Sequence, residues 1–475
     1  MLISLTQHSC NLNNEWEGYY ANTPARIDDN VFELIGDEQD FSRFHDLLLQ
    51  YGFEDLLSQD QYFTLFVPVN SAFEGIPEYS DDEWRKIIGF HILYSKLFSY
   101  DFSDASLLTI IGKFLNMLAS GDQDYSIFDS RINMENVDNY CQNGVIHEID
   151  QLLLPRPNMY EYIMALDSSY SILQDFLNSM DEKYIDYEKS ERIGVDDNGN
   201  AVYDTVWLEE NYYLDHVAGL NNETESFTGF IPSNEDVRIA LEEVSGYFGN
   251  IRDLEKEAID QLLFLTFSGS FVEEAYTFES LPDTVYSVSG KKVDKTQLTI
   301  AEGDLEVSNG LVNLLDAMTI PKSYFLLPIF IECDRKENRT VSNTVYPIEV
   351  LGDSRATNGS YVGYNCQFVG DFLQFEVDMV LKTKYWIVWT GPKQGPSHYQ
   401  ISVRNELTGD WEYVGPPVNN WTKGAFVLVV SGIYEFQEFG SKQVRITIVD
   451  EAPLPGFNSI FVDYIKLVPD EIYDQ

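Results

Sequence analysis

TLFVPVNSAF at residues 64–73 and NGVIHEID at residues 143–150 are the two stretches that decide the fold of this chain. Each recurs later, the first as GFIPSN at residues 229–234 and the second as NGLVNLLD at residues 309–316. In both copies a proline follows the asparagine of the second stretch after 12 residues. An ordered pair of motifs that repeats after about 165 residues indicates a duplicated domain, because solenoid repeats span only about 20–50 residues.

The local pattern of these stretches predicts strands and turns. The first stretch is typical of a buried strand, since it is a short apolar run that ends at a proline. Asn70 and Ser71 follow this strand and are suited to cap a helix that starts near Ala72. The Asn143-Gly144 pair predicts a turn that leads into a second strand. These features build a fold and include no catalytic group.

The two motifs resemble those of the fasciclin domain, whose first motif reads approximately Thr-Leu-Phe-Ala-Pro-Thr-Asn-x-Ala-Phe. Phe90-His91 is similar to the central Tyr-His pair of that family, and residues 143–155 are similar to its second motif. The resemblance covers about residues 17–322. It implies an α+β fold with a small β-wedge and surrounding helices, used in adhesion and extracellular scaffolding.

The second copy resembles the family less closely than the first. It keeps the Phe, Pro and Asn of the first motif at Phe230, Pro232 and Asn234. Thr266-Phe267 stands roughly where the aromatic-His pair is expected, so we interpret this copy as degenerate.

From about Tyr324 to Val468 the sequence consists of short strand-like runs separated by Gly, Pro and Asn, which favours a sandwich or jelly roll. Its motifs resemble those of a carbohydrate-binding module of the galactose-binding-like jelly-roll type. The matching segments are residues 348–350, 359–364, 370–375 and 458–465. In that family, acidic residues of the first and last strands often hold a structural calcium, and the matching positions are Glu349 and Asp463.

The predicted architecture is therefore multidomain, with two α+β fasciclin-like domains followed by an all-β jelly-roll sandwich. The predicted segments are residues 1–16 (an export or lipidation segment, or a disordered N-terminus), 17–156 (fasciclin-like domain 1), 157–323 (fasciclin-like domain 2, with a hairpin insertion near 181–226) and 324–475 (the jelly-roll binding module).

The composition is strongly acidic. Lys and Arg number 30 against 78 Asp and Glu, which gives a formal net charge of −48. Such a field repels phosphate backbones and anionic lipid, so we expect no nucleic-acid partner and no direct docking on a membrane. Either solubility of an exposed protein or a calcium-loaded surface explains the acidity.

Four cysteines are too few for a disulfide scaffold and lack zinc-site spacing. Cys333 and Cys366 either pair in an oxidising compartment or stay as free buried thiols. Cys10 follows a short apolar start and resembles the lipidated cysteine of a bacterial lipoprotein. No basic region precedes it, so a plain disordered N-terminus remains the alternative. Since no segment approaches about 18 consecutive apolar residues, membrane attachment is expected only through such a lipid anchor.

Sugar recognition needs flat apolar ring faces and a few fixed polar groups. Three aromatic residues of the last region lie in connections rich in Gly, Pro and Asn, and three asparagines there could supply amides. The six candidate ligand-binding residues are Trp411, Tyr413, Trp421, Asn405, Asn419 and Asn420. The alternative is that the aromatics cap the ends of the sandwich as part of its core.

No nucleophile elbow, metalloprotease motif, phosphate loop or dinucleotide-binding turn occurs in the sequence, and the six histidines are scattered. We therefore predict a non-catalytic cell-surface lipoprotein that binds glycan. Resemblance to similar assemblies implies an accessory of an outer-membrane glycan-uptake system with a starch-utilisation-type transporter. The alternative is an adhesion or structural scaffold that makes protein contacts through its fasciclin-like domains.

Overall fold

The computed structural model describes residues 29–121, 124–186, 188–195, 201–250, 254–335, 339–342, 348–366, 368–392, 397–419, 424–450 and 459–473. The chain divides into two compact units. The first extends to Tyr162 and also includes Leu220–Ser226 and Glu306–Gly310. The second consists of Ile163–Gly219, Phe227–Leu305 and Leu311–Gln475.

The first unit combines short helices with two small sheets. Its helices are α1 (Val31–Gly36), α2 (Ser42–Gln50), α3 (Glu54–Leu57) and α4 (Asp81–Phe90), and α5 (Met159–Ala165) begins in it. Its strands are β1 (Phe63–Pro68), β2 (Ile92–Leu93), β3 (Ala105–Leu108), β4 (Phe114–Gly121), β5 (Asp124–Ile127), β6 (Ser130–Arg131), β7 (Asn139–Cys141) and β8 (Gly144–Ile149). Short 3-10 helices are formed by Gln39–Phe41, Asn70–Phe73 and Ser99–Asp101.

The central sheet of this unit has the strand order β2-β1-β8-β7, and β1 runs parallel to β8. Every residue of β1 is buried, as a strand covered on both faces requires. Gly144 pairs with Phe63, and a Cβ at Gly144 would lie 2.6 Å from the Phe63 carbonyl oxygen. The glycine of the second motif is therefore needed for the close approach of the two strands. Strands β3 to β6 form a separate antiparallel sheet.

The second copy of the motifs builds a sheet with the same arrangement, in the order β14-β13-β18-β17. Its helices are α6 (Ser171–Asn178), α7 (Tyr212–His216), α8 (Asn234–Phe248), α9 (Lys256–Phe267) and α10 (Lys322–Phe325). Its strands are β9 (Asp181–Ile185), β10 (Glu191–Val195), β11 (Ala201–Asp204), β12 (Trp207–Asn211), β13 (Phe227–Ile231), β14 (Phe271–Glu273), β15 (Thr284–Tyr286), β16 (Lys292–Asp294), β17 (Thr299–Val307) and β18 (Gly310–Ala317). Two further 3-10 helices are Ser168–Tyr170 and Lys295–Gln297.

The predicted insertion of the second copy is visible as two antiparallel strand pairs. Strand β9 pairs with β12, and β10 pairs with β11. The β10–β11 pair lies within the segment between β9 and β12, so the two pairs are nested along the chain between α6 and α7.

The region after α10 is rich in strands, as predicted. Its strands are β19 (Ile329–Glu332), β20 (Arg339–Val341), β21 (Ile348–Gly352), β22 (Ser360–Tyr364), β23 (Phe372–Val380), β24 (Lys384–Thr390), β25 (Tyr399–Arg404), β26 (Trp411–Val418), β27 (Val429–Glu435), β28 (Gly440–Ile448), β29 (Ile460–Val462) and β30 (Tyr464–Pro469), with a 3-10 helix at Asp470–Ile472.

These strands form a five-stranded sheet (β20-β23-β28-β25-β26), a four-stranded sheet (β19-β30-β24-β27) and a small sheet (β21-β22-β29). The sequence placed the first strand of the module at residues 348–350. The structure instead pairs the earlier strand β19 with the closing strand β30, and β21 lies in the small sheet.

The core of the sandwich continues into the segment that carries the second copy of the motifs. Phe248, at the end of α8, lies 5.5 Å from Phe325 and 5.1 Å from Phe439, measured between ring centroids. The backbone N–H of Lys382 donates a hydrogen bond of 2.8 Å to the carbonyl of Tyr247. Because one apolar cluster contains residues from both sides of position 324, the domain boundary predicted there crosses a packed interior.

Candidate ligand-binding face of the sandwich

The outer face of the five-stranded sheet brings together Trp411 and Tyr413, two of the four described residues that the sequence predicted to bind ligand. Alternate residues of a strand point to opposite faces, so the buried residues Leu373, Val403 and Val444 mark the inner face. The outward positions on neighbouring strands are Phe372, Gln374, Glu376, Gln400, Ser402, Arg404, Trp411, Tyr413, Gln443, Arg445 and Thr447, of which Ser402 and Thr447 are buried by their neighbours. We call this set the outer sheet face.

Arg445 lies at the centre of the outer sheet face. Its guanidinium carbon is 3.5 Å from the ring centroid of Trp411 and 3.8 Å from that of Phe372. Its Nε donates a hydrogen bond of 2.8 Å to Oε1 of Gln374, the residue opposite it on β23. Burial and, second, the charge of Arg404 lower the pKa of Arg445. An arginine still keeps its charge at neutral pH, so these contacts hold a cation against two aromatic rings.

Arg404 supplies a second guanidinium on the same face. Its Nη1 donates to Oε1 of Gln443 at 3.1 Å, and its Nε donates to the carbonyl of Gly409 at 3.3 Å. Among the described residues, no carboxylate forms an ion pair with Arg404 or Arg445. Both cations are thus held by neutral acceptors in a chain of net charge −48.

Trp411 and Tyr413 are brought together on this face, because they are alternate residues of edge strand β26. The sequence placed them in a connecting loop, whereas the structure pairs them with Arg404 and Ser402 of β25. Tyr413 is 57% exposed and offers an open ring. Trp411 is half-buried, and Arg445 covers one face of its ring.

Asn405 is used to build the turn between β25 and β26. Its Oδ1 accepts hydrogen bonds from the backbone N–H groups of Leu407 (2.8 Å) and Thr408 (3.0 Å), and its Nδ2 donates to Oε1 of Glu412 (2.7 Å). These bonds occupy the amide groups that a sugar would need. The turn therefore explains the presence of this asparagine without a ligand.

Of the remaining predicted ligand-binding residues, the structure describes only Asn419. Asn419 follows β26 directly and is half-buried. Asn420, Trp421 and Cys10 lie outside the described residues.

Sequence reasoning missed Phe372, Gln374, Arg404 and Arg445. The signal that could have found them is the alternation of apolar and polar residues along β23 and β28, which marks an outward polar face. That signal does not reveal which strands become neighbours.

The two predicted calcium residues occupy different environments. Asp463 is buried, and its carboxylate accepts hydrogen bonds from the backbone N–H (3.1 Å) and the hydroxyl (3.1 Å) of Thr357. Burial raises the pKa of Asp463, and the charge of Asp334 adds to that rise. Glu349 is exposed on β21, opposite Gly363.

Asp334 therefore lies near Asp463, and Glu349 shares no hydrogen-bond or ion-pair partner with Asp463 among the described residues. Calcium prefers six to eight oxygen ligands. The described part of the chain contains no group of three or more His, Cys, Asp or Glu residues arranged to hold a metal ion.

Cys333 and Cys366 are buried free thiols. Their Sγ atoms contact the carbonyl oxygens of Ile331 (3.4 Å) and Tyr364 (3.6 Å). Burial raises the pKa of both thiols, that of Cys366 to about 12. Both side chains therefore behave as unreactive core residues in this state.

No described helix is both long enough and apolar enough to cross a membrane.

Comparison with known families identifies part of the chain. A family model described as the fasciclin domain matches residues 39–155. This confirms the predicted fasciclin domain in the first unit.

Among curated proteins, the transforming growth factor-beta-induced protein ig-h3 of Sus scrofa is 29% identical over 32% of this chain and 23% of its own length. Periostin of Homo sapiens is 31% identical over 28% of this chain and 16% of its own length. Protein sll1483 of Synechocystis is 24% identical over 26% of this chain and 73% of its own length. The chain thus spans less than a quarter of the two animal proteins.

Among solved structures, this chain is similar to a FAS1 domain pair from the insect cell adhesion molecule Fasciclin I. The TM-score is 0.23 at 14% identity, and the match covers 60% of this chain and 98% of that one. A family 35 carbohydrate-binding module from Clostridium thermocellum has a TM-score of 0.22, 18% identity and coverage of 30% of this chain and 97% of that one. At these TM-scores the likeness carries no argument about what the present chain binds.

Proposed function

We propose that this protein is a non-catalytic cell-surface binding protein and that the outer sheet face binds glycan. The observation that carries the proposal is the exposed ring of Tyr413 beside fixed guanidinium and amide groups. A sugar ring presents C–H surface to an aromatic face and hydroxyls to polar groups, and this face offers both.

In this proposal the fasciclin-like part carries the sandwich at the cell surface. Lipidation of Cys10 would provide the anchor, and the protein would act as an accessory of an outer-membrane glycan-uptake system with a starch-utilisation-type transporter. A structural calcium at Glu349 and Asp463 stays a prediction, and the melting temperature with and without EDTA tests it.

A second candidate function is adhesion or scaffolding through protein contacts. The match of residues 39–155 to the fasciclin domain favours it, because the resemblance to that family implies a role in adhesion or extracellular scaffolding. In this case the outer sheet face would contact protein.

Affinity electrophoresis of the full chain through gels that contain different polysaccharides separates the two functions. The full chain is used because the sandwich shares its core with α8. We expect at least one polysaccharide to retard the protein and Tyr413→Ala to weaken that binding about tenfold, since one stacked aromatic ring contributes about 1 kcal/mol or more.

Tyr286→Ala is the matched control, because Tyr286 is 67% exposed and lies on β15, away from this face. It should bind as the unchanged protein does. Retardation by no polysaccharide, together with recovery of a stable protein partner from membranes, would contradict glycan binding and favour the scaffold.

A further inference from the structure

We propose that Arg404 and Arg445 form a binding site for a sulfate ester, so that the glycan bound by the outer sheet face is a sulfated one. This inference rests on the proposed glycan-binding function and specifies its ligand class.

The first step is the fixed orientation of Arg445. Two aromatic rings contact its guanidinium within 4 Å of their centroids, and Gln374 holds its Nε edge. The two terminal nitrogens make no hydrogen bond with another described residue. A guanidinium fixed in this way presents a planar fork to a ligand with little further loss of side-chain entropy.

The second step is the nearness of a second cation. Arg404 is the diagonal neighbour of Arg445, because Ser402 pairs with Arg445 and Trp411, over which Arg445 lies, pairs with Arg404. Gln443 orients Arg404. Two like charges side by side cost energy unless an anion lies between them. No described carboxylate takes that place, although acidic residues outnumber basic ones by more than two to one in this chain.

The third step is the shape of the anion. A carboxylate has two coplanar oxygens, which satisfy one guanidinium fork. A sulfate ester has three terminal oxygens arranged around sulfur, one more acceptor atom than a carboxylate, so it can accept hydrogen bonds from both arginines at once. The open ring of Tyr413 lies on the same face and is placed to contact the sugar that bears the ester.

The test uses the full chain in affinity electrophoresis with two sulfated polymers (dextran sulfate and a sulfated galactan), neutral dextran and polygalacturonate. The net charge of −48 repels all polyanions, so retardation by a sulfated polymer reports a local contact. We expect retardation by a sulfated polymer and a roughly ten- to hundredfold loss of affinity in Arg445→Gln and in Arg404→Gln, as expected for hydrogen bonds to a charged group.

Arg131→Gln is the matched control, because Arg131 is exposed in the first unit and its replacement changes the net charge equally. It should leave the affinity unchanged, and equal melting temperatures would show that all three variants fold. Arg445→Lys should recover little, because lysine lacks the planar fork.

Several results would overturn the inference. Equal retardation by polygalacturonate would remove the argument for a tetrahedral anion. Binding of neutral glycan that is lost in Tyr413→Ala but unaffected in both arginine variants would refute the sulfate site and leave the proposed function standing. Failure of every polymer would refute both.

Discussion

The two segments that carry the copies of the motifs, here called the first half (residues 29–156) and the second half (residues 157–323), form the same side-chain hydrogen bonds to their loops. In each half, a threonine in the strand that carries the first motif (β1 or β13) donates a hydrogen bond to a backbone carbonyl. The same hydroxyl accepts a hydrogen bond from the backbone N–H two residues after that carbonyl, and all four distances are 2.6–2.9 Å. The two sets are Thr64 with Ser95 and Leu97, and Thr228 with Glu274 and Tyr276.

The asparagines of the two motifs act in the same paired way. Each accepts a hydrogen bond from a backbone N–H in the first turn of a helix and donates to two groups of a nearby turn, at 2.7–3.1 Å. The sets are Asn70 with Arg43, Gln39 and Ser42; Asn234 with Ile172, Ser168 and Ser171; Asn143 with Val31, Leu57 and Gln59; and Asn309 with Met159, Leu220 and Asn222. The motifs thus repeat because backbone groups at the helix starts need partners.

The two halves differ at the histidine. In the first, the Phe66 N–H donates to the carbonyl of His91, and in the second the Phe230 N–H donates to the carbonyl of Ser270. Ser270 is therefore the counterpart of His91. The sequence interpretation, which placed Thr266-Phe267 there, is wrong because α9 ends at Phe267, three residues before Ser270, whereas α4 ends at Phe90, one residue before His91.

The loss of the imidazole leaves space in the second half. A cavity of about 60 Å³ lies beside Ser270, between Phe230 and Leu315. The residue before Ser270 is Gly269, and Tyr324 from α10 packs directly over it. The second half thus fills part of its core with a side chain from the helix that leads into the sandwich, which the first half does not need.

A second difference between the halves is the buried cation Lys113, and its replacement is expected to change stability more than any other substitution considered below. Glu33 caps α1 in the first half and pairs with no cation among the described residues, whereas the matching Glu161 pairs with Lys113 at 2.9 Å. Lys113 also pairs with Glu223 at 2.6 Å, and both side chains are about 90% buried. Burial would raise the pKa of Glu161, but the hydrogen bond and charge of Lys113 lower it overall.

Lys113→Met should lower the free energy of unfolding by about 3–5 kcal/mol, because it leaves the buried carboxylate of Glu223 without its cation. Urea unfolding of the full chain measures this. Lys86→Met is the control, since Lys86 is exposed and 3.4 Å from Glu161, and it should cost about 0–1 kcal/mol. Equal losses of unfolding free energy in the two variants would contradict a larger contribution of the buried ion pair.

Replacing the second-motif asparagines tests whether the halves are equivalent. Asn143→Ala and Asn309→Ala should each cost about 2–4 kcal/mol, because each removes three hydrogen bonds from buried backbone groups. Asn116→Ala, at an exposed asparagine of β4, should cost less than about 0.5 kcal/mol. A large loss in one half and none in the other, in urea unfolding, would contradict the equivalence.

His91 should make the first half sensitive to acid. Its Nδ1 bonds to the carbonyl of Ile87 (2.8 Å), its Nε2 accepts from the N–H of Leu153 (3.0 Å), and burial lowers its pKa to about 4. Because the unfolded chain takes up the proton near pH 6.5, stability is lost as the pH falls from about 6.5 towards 4. At pH 5 the loss amounts to about 2 kcal/mol.

The stability difference between the unchanged protein and His91→Gln isolates this term, since carboxylate effects cancel. We expect the difference to shrink by about 2 kcal/mol between pH 7.5 and pH 5. A difference that stays constant across this range would mean that His91 titrates normally.

The sequence predicted the strands and turns of both motifs, because apolar runs and turn residues act locally. It did not predict the partners of the asparagines: Asn70 was interpreted as a cap of the next helix, yet it binds the N–H of Arg43, 27 residues earlier. In the sandwich, the alternation of apolar and polar residues within single strands could be predicted from the sequence. The contact of Trp411 with Arg445 could not, because it depends on the position of β25 between β26 and β28. Such pairings depend on strand order, which local patterns do not encode.

The smallest expected effect tests how closely α10 packs against the second half. A Cβ at Gly269 would lie 2.6 Å from the hydroxyl oxygen of Tyr324, whose ring is buried and whose hydroxyl donates to the carbonyl of Lys292. Gly269→Ala should therefore cost about 1–2 kcal/mol through overpacking. Gly246→Ala is the opposite case, because that glycine lies within α8 with nothing near its Cβ position, and it should stabilise by about 0.5–1 kcal/mol. Opposite shifts of the melting temperature in these two variants are the expected result. A stabilising Gly269→Ala would instead show that Tyr324 moves aside freely and that the sandwich is only loosely joined to this half.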